Sequence, residues 1–224
     1  MIYRAAVFDL DGTLINSLAD LADSANDVLS SFGFPTHELD KYRYFVGNGP
    51  RKLMERCLPP EQAENADVVS EALERYHAFY KNHLFAKTEP YDGILSMLEA
   101  LQEKHIPLAI CTNKQQFAAE AIAEKLFPNG IFLKNLGDLE GTPRKPDPTK
   151  LLQIIKDFGV RPEETAYLGD SSVDMETARR AGCLAVGVNW GFRPEQELRE
   201  SGADLILTHP MELLEKITFQ KVST

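Results

Sequence analysis

Cysteine is scarce in this chain, and positive charge is in the minority. Three cysteines, Cys57, Cys111 and Cys183, occur in 224 residues, odd in number and far apart. That pattern excludes a disulfide framework and predicts reduced thiols in a cytoplasmic protein. Cys111 and Cys183 border apolar runs and read as small core residues. There is no CxxC or HExxH, and the five histidines are scattered, so the usual zinc signatures are missing. No apolar run approaches the ~20 residues a bilayer requires, and the N-terminus enters a strand pattern directly, without a signal-peptide pattern. Lys and Arg number 24 against 34 Asp and Glu, for a net charge of −10. Such a balance repels nucleic acid and anionic membrane as bulk partners, so an anionic ligand needs positive charge supplied locally. Internal repeats and low-complexity segments are also absent, and only Gln220 to Thr224 reads as a polar tail.

What is present is concentrated at the ends of a few apolar runs. Ala5-Ala6-Val7-Phe8 reads as a buried strand and stops on Asp9-Leu10-Asp11-Gly12-Thr13. Two carboxylates at one strand end require compensation, and a hard divalent cation, Mg²⁺ first, suits an oxygen-only site. The EF-hand alternative fails, because its sixth and twelfth loop positions, Gly and Glu, are here Leu14 and Asp20. Alone, the pair leaves an active site and a metal-binding loop both open. A second strand, Ile106 to Cys111, ends on Thr112-Asn113. Lys145 lies in a stiff Lys-Pro-Asp-Pro turn before a helical pattern starting at Thr149. A third strand, Ala166-Tyr167-Leu168, ends on Gly169-Asp170-Ser171-Ser172-Val173-Asp174. In an open α/β sheet, ligands bind at the carboxyl ends of the strands, so these segments can converge.

From about residue 91 onward, strand and helix patterns alternate, with helices expected over 93–104, 114–126, 149–158, 173–181 and 195–201. Leu184 to Val188 and Leu205-Ile206-Leu207 are strands between or after them. This alternation predicts an α/β protein: a doubly wound, Rossmann-like parallel sheet with helices on both faces. Between the first strand and Pro90 there is no convincing strand. Leu18, Leu21, Ala22, Ala25, Val28, Leu29 and Phe32 make a helical stripe closed by Gly33, with Ser17 and Asp20 as a capping box. Val68, Val69, Ala72, Leu73, Tyr76 and Phe79-Tyr80 make another. Residues 17–83 are therefore expected to form a helical cap inserted into a core of residues 1–16 and 84–224. The alternative is that these helices simply pack on the sheet. Hinges are expected near Asn16-Ser17 and across residues 83–93, where Pro90 and Gly93 interrupt the pattern.

Asp9-Leu10-Asp11-Gly12-Thr13, Thr112, Lys145 and Gly169-Asp170 through Asp174 resemble, in order, the four motifs of haloacid dehalogenase-like phosphohydrolases. The resemblance spans nearly the whole chain and likewise implies a helical cap. It implies that Asp9 is a phosphorylated nucleophile and Asp11 an acid and then a base. It places Mg²⁺ between Asp9 and Asp170, with the Asp11 main-chain carbonyl as a further ligand. Asp174 either completes the metal site or orients its waters, or it is a carboxylate favoured by a helix N-terminus. Thr112 and Lys145 are implied contacts to the phosphoryl oxygens, and Asn113 beside Thr112 is a candidate substrate-binding residue.

Haloacid dehalogenases themselves lack a second aspartate, because halide needs no proton on leaving, so Asp11 points to phosphate chemistry. A β-phosphoglucomutase-like mutase stays open, although Thr13 and Asp174 fit phosphatases better. A non-catalytic phospho-accepting receiver is shorter, has no cap and lacks the acid two residues on. A serine nucleophile elbow fails at Ser172-Val173. Val46-Gly47-Asn48-Gly49-Pro50-Arg51-Lys52-Leu53 is similar to a cap motif of phosphoglycolate phosphatase-like members. Its glycines read as a turn opening a helix at Pro50, and Arg51 is the candidate substrate cation. Asn16 departs from the aspartate common there, leaving pyrophosphatase, nucleotidase and sugar-phosphate phosphatase specificities open. The expected partner is a small phosphorylated metabolite, and the expected state is monomer or homodimer.

Overall fold

The computed structural model describes residues 1–221, so the last residues of the expected polar tail lie outside the described residues. Strands are β1 (Ile2–Tyr3), β2 (Ala5–Phe8), β3 (Ile15–Asn16), β4 (Glu89–Pro90), β5 (Leu108–Gln115), β6 (Lys134–Asp138), β7 (Thr165–Gly169), β8 (Leu184–Val188), β9 (Leu205–Leu207) and β10 (Thr218–Phe219). A six-stranded sheet runs in the order β6-β5-β2-β7-β8-β9, with every neighbouring pair parallel. Short β1 pairs with β10 on the side, a strand that the polar appearance of the C-terminal region conceals. Because the chain passes from β2 to one side and later returns to the other, the order reverses around β2. That reversal opens a crevice at the carboxyl ends of β5, β2 and β7.

Both faces of β2 are apolar because both are covered. Ala6 and Phe8 face α6 (Ile94–Glu103) and α7 (Gln116–Leu126), while Ala5 and Val7 face α8 (Thr149–Phe158), α9 (Ser172–Ala181) and α10 (Glu195–Glu200). Register then aligns the functional residues. Phe8 pairs with both Ile110 and Leu168, so Asp9 leaves the sheet level with Cys111 and Gly169, one residue before Thr112 and Asp170. The expected helix at 114 begins at Gln116 instead. A register shift between Cys111 and Gln115 carries β5 through Asn113 and Lys114 before it turns.

Five helices lie between β3 and β4: α1 (Leu18–Ser31), α2 (Leu39–Phe45), α3 (Pro50–Cys57), α4 (Pro60–Ala63) and α5 (Ala66–Asn82). The apolar stripe of α1 packs against Val69, Ala72 and Tyr76 of α5 and Leu53 and Met54 of α3. Gly33 follows α1 at φ 73°, a conformation that glycine adopts without Cβ strain. Asn65 caps α5 by accepting from the amides of Asp67 and Val68. The apolar cluster runs unbroken from Leu10, Leu14 and Ile15 into these helices, so the insert is packed onto the sheet as well as onto itself.

The chain enters and leaves the insert side by side, because β3 pairs antiparallel with β4. The expected capping box at Ser17 and Asp20 is not formed. Ser17 Oγ donates to Asp11 Oδ1 instead, and buried Asp20 accepts from the amides of Lys87 and Thr88 and from Thr88 Oγ1. Three donors on the returning segment outcompete the single amide a cap would supply. Asp20→Ala leaves two amides without this acceptor and is expected to destabilise folding by about 2–4 kcal/mol in a urea titration. An unchanged midpoint would show that the clamp adds nothing.

Candidate active site

Asp9 leaves β2 with its amide donating to Leu168 O, which ties the strand end to β7. Its side chain is buried, and Lys145 Nζ lies 2.8 Å from Oδ1. The two form a buried ion pair. Lys145 is fixed from all sides. Its amide donates to Asn113 Oδ1 and its carbonyl accepts from Asn113 Nδ2, while its Nζ reaches Asp174 Oδ1 at 2.7 Å and the Tyr167 hydroxyl at 3.0 Å. Burial alone would lower the affinity of this lysine for its proton, but Asp174 and Asp9 beside it push the balance the other way. Lys150 Nζ holds the carbonyls of Thr112 and Gly137 from behind, fixing the irregular end of β5.

Asp170 follows β7 and accepts from the Phe192 amide at 2.7 Å. Two glycines make room for it: a Cβ on Gly12 would fall 2.2 Å from Asp170 Oδ2, and one on Gly191 would fall 2.3 Å from its Cβ. Asp9, Asp170 and Asp174 offer oxygens within 4.8 Å of one another. Burial first, then neighbouring carboxylates, raises the Asp9 carboxyl to about 6 against the pull of Lys145, and raises Asp170 well above the usual range. Three buried carboxylates share one ammonium and converge their oxygens, and the residues present therefore fit a divalent cation.

The carboxylates are not equivalent. Asp174 Oδ1 accepts from Lys145, with the Tyr167 hydroxyl 3.2 Å away shared with Cys111 O, and its Oδ2 accepts from the amide and hydroxyl of Ser171. Although Asp174 lies within reach by distance, its bonds make it an anchor for Lys145 and the start of α9. Asp170 accepts one described hydrogen bond, and Asp9 Oδ1 faces only the Lys145 ammonium at 2.8 Å. Asp11 lies outside this cluster, facing Lys114 Nζ at 2.8 and 3.2 Å and Ser17 Oγ at 2.5 Å.

A pocket above the strand ends is lined by Asp9, Asp11, Thr112, Lys114 and Asp170 below and by Leu21, Leu53, Tyr76 and Tyr80 above. Polar contacts across it join the insert to the sheet side. Arg43 donates to Gly191 O, Arg193 to Val46 O, Asn113 to Gly47 O and Lys114 to the Tyr80 hydroxyl. Two sequence expectations therefore change. Asn113 commits both side-chain amide hydrogens to main-chain carbonyls, leaving its side chain no donor for a ligand. Arg51 is not in the pocket wall: it reaches Ser70 Oγ and Glu55, because two helical steps turn it about 160° away from Leu53, which does face the pocket. The pocket cations are Lys114, Arg43 and Arg193. Lys114 had a signal, since in a strand it shares a face with Thr112 two residues earlier. Starting the helix at 114 hid it. Nothing in the local pattern marks Arg43 or Arg193.

The model of the haloacid dehalogenase-like hydrolase family matches residues 6–188. The chain belongs to this family. It is 34% identical over 214 residues to a phosphoglycolate phosphatase of Chromobacterium violaceum, covering 94% of each chain. It is 32% identical to one of Haemophilus influenzae, covering 95% of this chain and 97% of the relative. A crystal structure from Lactobacillus delbrueckii subsp. bulgaricus superposes with a TM-score of 0.91 at 31% identity, covering 97% of this chain and 99% of that one. A haloacid dehalogenase-like family protein of Streptococcus pneumoniae gives a TM-score of 0.85 at 26% identity, covering 96% and 98%. The hydrolase thus carries the family's α/β fold. Among the described residues, no helix is long and apolar enough to cross a membrane.

The uncompensated charge at the strand ends is expected to make stability depend on divalent cations. At about a hundred times its dissociation constant, Mg²⁺ is expected to add about 2.7 kcal/mol and raise the melting temperature. Asp170→Asn should abolish that dependence. A wild-type melting curve unmoved by Mg²⁺ would count against a metal centre here.

Proposed function

We propose that this hydrolase is a Mg²⁺-dependent phosphatase of small phosphomonoesters of the phosphoglycolate kind, working through an aspartyl-phosphate on Asp9. Asp9 is the nucleophile and Asp11 the acid. The observation that carries the reading is their arrangement: both leave the same strand, Asp9 facing Lys145 and the buried carboxylates, Asp11 facing the pocket beneath the insert. The names of the C. violaceum and H. influenzae relatives support the substrate class.

In this reading an Asp9 oxygen attacks phosphorus while the bond to the ester oxygen breaks, and Asp11 gives its proton to that oxygen. Water then attacks the phosphorus of the aspartyl-phosphate, its proton returns to Asp11, and Asp9 is regenerated with release of inorganic phosphate. One residue serves both steps because the second reverses the proton transfer of the first. Mg²⁺ held by Asp9 and Asp170, with the Asp11 carbonyl as the family pattern adds, supplies the charge that lets an anionic nucleophile meet an anionic ester. Lys145 contributes a second positive charge beside Asp9, and Thr112 lines the phosphoryl end. Asp174 keeps Lys145 in place and lies within reach of the metal that Asp9 and Asp170 would hold. Residues 17–83 act as a cap on a core formed by residues 1–16 and 84–221, and the contacts from Arg43, Arg193, Asn113 and Lys114 exclude water from the site.

A phosphate-release screen over small phosphomonoesters, pyrophosphate and nucleotides, with and without Mg²⁺, tests the proposal. Small esters should be hydrolysed, chelator should stop the reaction, and a phosphoprotein should be a poor substrate. Asp9→Asn keeps the shape but removes the nucleophile, so turnover should fall to background while the protein stays folded. Substantial activity in that variant would falsify the covalent route. Asp11→Ala should slow esters of poor leaving groups by about 10²–10⁴-fold and an activated aryl phosphate much less. A loss independent of the leaving group would remove Asp11 from the acid role.

A further inference from the structure

Three cations line the pocket, and each also makes contacts that hold it together. Arg43 bonds Gly191 O and lies near Asp40, and Arg193 bonds Val46 O and lies near Glu197. Lys114 differs, because its buried ammonium contacts two side chains of the pocket wall, Asp11 and Tyr80. Tyr80 accepts from Lys114, and its own O–H donates to no acceptor among the described residues. Burial first, then Asp11 and Asp20 nearby, keeps the phenol protonated and thus able to donate. Tyr76 stacks on Tyr80 with ring centres 5.5 Å apart, and Leu53 completes an apolar wall around these two polar groups. Two adjacent donors, beside Asp11 and backed by this apolar wall, match the two oxygens of a carboxylate.

We propose that Lys114 and Tyr80 form a subsite for a carboxylate on the leaving portion of the substrate, attached to the carbon that bears the ester oxygen. The proposal rests on the phosphomonoesterase reading and specifies which esters it favours and which residues select them. The Asp11 position sets the reach. An ester oxygen within hydrogen-bond distance of Asp11 lies at most about 6 Å from Lys114 Nζ, because Nζ is itself 2.8 Å from Oδ1. A carboxylate one carbon beyond the ester carbon has its oxygens about 3 Å from the ester oxygen and so falls within contact of Nζ. Lys114 serves here as the specificity-determining cation that Arg51, turned outward, does not supply.

The test compares 2-phosphoglycolate with its neutral isostere, the phosphate monoester of ethylene glycol, in wild type, Lys114→Met, Lys114→Arg and Tyr80→Phe. The readout is the ratio of the two kcat/KM values, which cancels any loss common to both substrates. Wild type should favour the carboxylate by about 10- to 100-fold, the effect of a charge-assisted hydrogen bond. Lys114→Met should bring the ratio to within a few-fold of one, chiefly through KM, and Lys114→Arg should restore part of it. Tyr80→Phe should lower it about 2- to 10-fold, as for a neutral donor. If both substrates decline together in Lys114→Met with the ratio unchanged, Lys114 only orients Asp11 and the subsite is refuted. A wild-type ratio near one refutes it without any variant, so a misfolded Lys114→Met leaves the question decidable. Failure of the underlying reading looks different: wild type with Mg²⁺ would release phosphate from neither ester nor from an aryl phosphate.

Discussion

One buried ammonium facing two carboxylates, with a third carboxylate close by, sets the terms for the rest of this molecule. Lys145 offsets part of the repulsion among Asp9, Asp170 and Asp174, but only part, and the surrounding chain is arranged to hold the charges together regardless. Asn113 grips the main chain of Lys145 from both sides, Ser171 closes the second oxygen of Asp174, and Tyr167 fills the space between. Gly12 and Gly191 are glycines because any side chain there would occupy the position of Asp170. Burial and mutual repulsion raise the proton affinity of Asp9 and Asp170, and a divalent cation offsets the same repulsion.

Much of this was legible in the chain itself, for identifiable reasons. Apolar runs ending on Asp9 and Asp170 report strand ends at a crevice. Thr112 stood at a third strand end and Lys145 in a proline turn before a helix, and the resemblance to the family joined the four. The α/β alternation from residue 91 onward follows from periodicity, and α8 was delimited at Thr149 and Phe158 by a proline turn before it and Gly159 after it. What stayed hidden depends on contacts remote in sequence. Ser17 and Asp20 carry a sound local capping signal, yet their side chains bond to Asp11 and to residues 87–88 because tertiary donors prevailed over local ones. Lys114 was lost to a boundary error of two residues, which in a strand conceals which side chain shares a face with Thr112. Arg43 and Arg193 became visible only when two distant segments were brought together. Arg51 shows the converse: a cation in a suggestive motif that the helical turn carries out of the pocket.

The site has an asymmetric division of labour. Its lower half is charged and rigid, built from strand ends whose register is set by backbone pairing. Its upper half is mostly apolar, with Leu21, Leu53, Tyr76 and Tyr80 contributed by helices held to the sheet through apolar packing and a few polar contacts. In the proposed reading the groups assigned to the chemistry sit on the rigid half, and the leaving group lies between Lys114 on that half and the apolar side chains of the other.

The paired segments β3 and β4 carry a consequence for how such a molecule diversifies. Asn16 and Glu89 face each other across an antiparallel ladder, so the insert begins and ends at points about 5 Å apart. From the standpoint of the sheet, everything between them is a loop whose ends already meet. Exchanging that loop for a longer or shorter one changes its closure entropy only logarithmically and requires no movement of β2 or β5. The geometry therefore makes the upper half a replaceable module: new selectivity can be grafted at a single doorway while the catalytic floor keeps its register.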